Sequence, residues 1–215
     1  MSGFTLINGY PSQKMYIVGT TVIEKGELVV FTPATGVVAS SGTDLDNPQI
    51  GVAAEAHASG GGTSIKVYTH PESKFSHVNR NAITATGGST TTFVDSSLLP
   101  ATDNLFIGGY LEIIACAADS SLNGAMIPIT DNTGSGRTLT FATQIAAFAS
   151  GDTAYLHPGK LAVGSFGWDL DSDGMNIDYE TDGGEAMIIA DANPELKEVI
   201  IKLRLHQLGN STLAI

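Results

Sequence analysis

Apolar residues along this chain come in short runs, each closed by glycine, proline or small polar residues. In 63–69, Ile65, Val67 and Thr69 alternate with Lys66 and Tyr68, the two-residue period of a half-buried strand. Further runs at 15–18, 21–23, 28–31, 36–39 and 49–56 have strand character, and a turn is expected at 24–27. Pro33 and the Ser-, Gly- and Asp-rich stretch 40–48 break the pattern between them. Short strands at this spacing predict a small barrel or sandwich.

The pattern continues at 93–95, 110–115, 126–130, 138–141 and 153–156. Asn123-Gly124 marks a tight turn, 131–136 a hairpin loop, and 144–148 fits one helical turn. Near the end, 187–190 and 198–208 are apolar. Leu196, Val199, Ile200 and Leu203 fit a helical stripe, whereas Ile201, Leu203 and Leu205 alternating with Lys202, Arg204 and His206 fit a strand, which is the preferred reading. The fold class expected is mainly β: small β-barrel or sandwich modules of short antiparallel strands with little helix. Four segments are expected: an N-terminal arm at 1–13, a β module at 14–80, a β insertion at 81–158, and an acidic loop with C-terminal strands at 159–215 that completes the fold. No fixed-period repeat is present.

Composition narrows the function. Charged residues are only 15% of the 215, so Ser, Thr, Asn and the 25 Gly must supply much of the polar surface. Such a surface suits packing against other subunits. The net charge is −12, which disfavours nucleic acid and anionic membranes alike. Residues 1–80 hold six acids and five bases, so the acidity belongs to the later segments. Neither a membrane span nor a signal peptide is expected. Cys116, the single cysteine, has no intrachain partner and reads as a small buried apolar residue.

One local motif carries chemistry. Asp169, Asp171 and Asp173 with Gly174 match D-x-D-x-D-G, with an acid, Glu180, at the twelfth position. Three carboxylates, the Met175 carbonyl and Glu180 would form an oxygen shell for Ca2+. The flanks are not helical and Asn176 stands where an apolar residue usually packs, so the plain alternative is a solvated acidic loop. No cofactor is required by anything else in the sequence. Gly60-Gly61-Gly62 lacks the Lys of a phosphate loop and reads as a flexible hairpin tip. The histidines His57, His70, His77, His157 and His206 read as surface or hydrogen-bonded residues, and Trp168 as core or interface anchor. No catalytic motif is present, and the chain is expected not to be an enzyme.

Two stretches carry a resemblance. Gly26-Glu27-Leu28-Val29-Val30, Gly36-Val37-Val38, Ile50-Gly51-Val52-Ala53 and 62–68 resemble a small β module of tailed-bacteriophage head proteins. Gly108-Gly109-Tyr110-Leu111, Ile127-Pro128-Ile129-Thr130-Asp131, 136–141 and 151–156 are similar to a β insertion of phage head and decoration proteins. The acidic third segment is not covered. The resemblance implies a capsid decoration (cement, head-stabilising) protein. Such a protein clamps neighbouring major capsid proteins from outside the virion, commonly as a homotrimer. Two alternatives stand beside it: a head-fibre or glycan- and receptor-binding β module, and a hydrolase with an unrecognised site. With 7% aromatic residues and one Trp, the chain is thinly equipped for sugar stacking.

Overall fold

In this computed structural model the described residues form sixteen short strands, most bounded by turn-forming residues. It describes residues 3–8, 13–18, 21–32, 36–39, 49–58, 64–70, 72–80, 82–159 and 186–203. The strands in order are β1 Thr5–Asn8, β2 Gln13–Ile17, β3 Leu28–Thr32, β4 Gly36–Ala39, β5 Gln49–Ala53, β6 Ser64–Tyr68, β7 Lys74–His77 and β8 Ala82–Thr84. They continue with β9 Gly87–Gly88, β10 Thr92–Val94, β11 Tyr110–Ala115, β12 Met126–Thr133, β13 Thr138–Phe141, β14 Thr153–His157, β15 Ala186–Asn193 and β16 Glu198–Leu203. The protein is mainly β, as the sequence pattern predicts. A single 3-10 turn, Ser120–Leu122, is the sole helical element among the described residues.

Three antiparallel sheets result, ordered β2-β6-β5-β3-β4, β8-β14-β11-β12-β13-β10-β9 and β1-β7-β16-β15. None closes into a barrel, and their arrangement is sandwich-like. The five-stranded sheet uses residues 13–68 and the seven-stranded sheet residues 82–157. The four-stranded sheet instead gathers strands distant in sequence.

Successive residues of a strand point to opposite faces, so β3 serves two cores. Leu28 packs into the large core shared with the other sheets; Val29 packs into a smaller one with Val37, Ile50, Ile65 and Val67. Gly51 of β5 is fixed by contact: a Cβ there would lie 2.0 Å from the Tyr68 carbonyl oxygen of β6. Cys116 is buried in the large core.

The segment expected as an arm is in part a strand of the body. β1 pairs with β7, and Phe4 is 3% exposed in the large core. Its amide donates to the Gly26 carbonyl oxygen at 2.8 Å, and Gly26 holds φ +88, a backbone region open to glycine. Other expectations shift too. Residues 21–23 make one bridge, Ile23 to His57, and not a strand, because the turn at Lys25-Gly26 follows at once. Residues 144–148 are irregular, with a bend at 145–146, and not a helical turn; Phe148 packs edge-on against Phe93 and Phe141. β12 runs on to Thr133, shortening the expected hairpin loop to 134–137.

Candidate functional site

Four charged or titratable side chains from four segments meet where the four-stranded and seven-stranded sheets touch. Glu112 lies within β11 and His157 ends β14. Antiparallel register pairs Tyr110 with His157 and Glu112 with Tyr155, so Glu112 and His157 are diagonal neighbours on one face. Arg80 comes from the connection between β7 and β8, and Lys197 from the turn joining β15 to β16.

Glu112 is the hub. Its Oε2 accepts from His157 Nε2 at 2.9 Å and from Arg80 Nη1 at 3.2 Å, while Oε1 accepts from Lys197 Nζ at 2.7 Å. The Arg80 guanidinium also lies 5.0 Å from the Tyr155 ring centroid, within reach of a cation–π contact. Glu112 is 7% exposed and His157 fully buried. Burial is the largest influence on the Glu112 carboxyl and raises its pKa; hydrogen bonds from Lys197 and His157, with the charge of Lys197, outweigh it and leave the carboxyl below its ordinary value. Burial is also the largest influence on His157 and holds its pKa below the ordinary value, with Glu112 opposing and the charges of Arg80 and Lys197 assisting. The resting state is therefore a carboxylate beside a neutral imidazole and two cations.

Lys197 has φ 56, a left-handed backbone at a non-glycine residue, which costs roughly 1–2 kcal/mol. The ion pair at its Nζ offsets part of that cost. Arg137 holds the corresponding last position of the β12–β13 loop with φ 45, and its guanidinium donates to the Ser96 and Ser97 carbonyls. Both turns thus end in a left-handed basic residue tied to a neighbouring segment.

Chemically, the Glu112 cluster is a clamp. Both carboxylate oxygens are occupied, and the buried imidazole presents no face to a substrate. Two other buried carboxylates organise loops. Asp95 accepts from the amides of Thr84, Ser97 and Leu98, and Asp152 from those of Ala117 and Ala149. Among the described residues, no group of three or more His, Cys, Asp and Glu could hold a metal, and no helix is long and apolar enough to cross a membrane.

Two surface features complete the description. A groove of about 1060 Å³ is lined by Phe4, Leu6, Val22, Ala53, His57 and Tyr68, among others. On β2, Met15 and Ile17 are 58% and 69% exposed, two residues apart and so on one face. β2 pairs with β6 along its length, and its other edge meets β4 only at the Val18–Val37 bridge among the described residues.

The residues expected to hold Ca2+, namely Asp169, Asp171, Asp173, Met175 and Glu180, lie outside the described residues, as do Gly60-Gly61-Gly62, Trp168 and His206. His157 is hydrogen-bonded and fully buried, and His77 is buried with its ring 4.8 Å from that of Phe4. The clamp was not singled out from sequence. The one signal for it is a lone carboxylate inside the apolar run of β11. No protein-family model, curated protein or solved structure matches the chain.

Proposed function

We propose that this chain is a non-enzymatic structural protein of a tailed-phage virion. On this reading it binds the outer surface of the capsid and stabilises contacts between major capsid proteins, acting as a homotrimer without nucleic acid or membrane partners. The observation that carries the reading is the exposed apolar pair Met15 and Ile17 on one face of β2, a strand whose second edge is bridged only at Val18–Val37 among the described residues. Large apolar side chains grouped on an edge strand favour burial by protein. Three further points support it. The chain is poor in charge, and the Glu112 constellation among the described residues clamps two sheets together. The two stretches that resemble phage head proteins fall on two separate sheets, 26–68 on the five-stranded and 108–156 on the seven-stranded. Symmetry would repeat weak contacts into high avidity.

The test is co-sedimentation with capsid shells of the phage that encodes the chain. Met15→Asp with Ile17→Asp should weaken shell binding by about tenfold or more, as loss of a buried apolar contact and burial of charge imply, with an unchanged melting temperature. Unaltered binding removes β2 from the interface. Wild-type binding to glycans with none to shells favours the head-fibre reading.

A further inference from the structure

We propose that Glu112, His157, Arg80 and Lys197 form an acid-released latch that holds the tip of the β15–β16 hairpin on the seven-stranded sheet. The contact is between segments that the backbone does not otherwise join there. The hydrogen bonds of β16 run to β7 and β15, within the four-stranded sheet. At the tip, Lys197 reaches across to Glu112 on β11, while the neighbouring Leu196 is 61% exposed.

His157 is the trigger. Its Nε2 faces the ionised Glu112 and so carries the proton, leaving Nδ1 as an unprotonated acceptor. That Nδ1 is buried with no hydrogen-bond partner among the described residues. A second proton would place a buried N–H where those residues supply no acceptor. It would also add a third cation beside Arg80 and Lys197, whose charges already oppose it. Glu112, Arg80 and Lys197, with Tyr155 beneath Arg80, are the titratable and charged residues that face the ring among the described elements. The closed latch therefore excludes the proton, and a form in which the tip has lifted and water reaches the ring accepts it. Acidification selects the lifted form by linkage.

An imidazole of ordinary pKa near 6.5 that is kept neutral when closed makes opening about tenfold more favourable on going from about pH 7.5 to about pH 5.5. Amide hydrogen exchange, corrected for intrinsic rates, reads this directly. Protection of the tip amides at 195–198 should fall about tenfold, while Leu111 and Ile113 in the core of β11 keep theirs. His157→Gln cannot gain a charge and should abolish the pH dependence at the tip. Equal protection at both pH values in the wild type overturns the latch, and so does the same loss in His157→Gln. If that variant does not fold, NMR titration of His157 in the wild type decides: a midpoint below the ordinary value supports the latch, and one at or above it overturns it.

Discussion

The rings of Phe4 and His77 meet at a tilt of 37° with centroids 4.8 Å apart, joining the residue that enters β1 to the middle of the four-stranded sheet. Since the Phe4 amide also holds the Gly26 carbonyl, residues 3–8 tie that sheet to the turn entering β3. Phe4→Ala should therefore destabilise the free protein by about 3 kcal/mol, the usual cost of emptying a buried Phe site. Chemical denaturation measures it. An unchanged midpoint would mean that this segment contributes nothing to the folded core.

Gly51 supplies a sharper packing test. Gly51→Ala drives a methyl group into the Tyr68 carbonyl and Val67, both within 2.6 Å of the added carbon. β5 and β6 must separate, at a cost of about 2–3 kcal/mol or more. Gly87→Ala meets nothing within 4 Å and should change stability by about 0.5 kcal/mol or less. Equal effects of the two substitutions would contradict the close approach.

The Glu112 clamp fixes the sign of the pH dependence. The folded pKa of His157 lies below its ordinary 6.5, so the unfolded chain takes up that proton first and stability begins to fall as the pH drops below that value. The folded pKa of Glu112 lies below its ordinary 4.5. Its contribution is complete above 4.5 and is lost as the pH falls through the folded value. Glu112→Gln should cost about 2 kcal/mol near pH 7, less than the roughly 3–5 kcal/mol of a fully buried pair, because Arg80 and Lys197 retain access to water. It should also remove the lower stage of acid loss. Urea midpoints across pH 3.5 to 8 measure both effects; greater stability in acid would contradict the assignment.

The acidic segment 169–180 separates two outcomes. A calcium shell of Asp169, Asp171, Asp173, the Met175 carbonyl and Glu180 predicts that chelator lowers the melting temperature and calcium restores it, with Asp171→Asn blunting the effect. A solvated acidic loop predicts no chelator effect and only a salt-screened response. Calorimetry at fixed ionic strength decides between them.

The elements legible in the sequence are those whose own residues demand burial. Tyr110–Ala115 is apolar and follows Gly108-Gly109, so its limits could be read directly. β7 could not: Lys74, Ser76 and His77 look like loop, and the burial of Ser76 and His77 is imposed by β1 and β16 on either side. The burial of Phe4, within the segment expected as an arm, depends on Gly26 and His77, which lie far along the chain. The clamp was illegible for the same reason. Arg80, His157 and Lys197 stand 32, 45 and 85 residues from Glu112, and only the strand register brings them together.

The most direct test of the capsid reading is electron cryomicroscopy of shells from the encoding phage, prepared without this protein and mixed with an excess of it. The account predicts added density on the outer face only, at repeated positions between neighbouring major capsid proteins, with β2 turned towards the shell and three copies around each site. Shells that emerge without added density, or with density confined to the inner face, would contradict it.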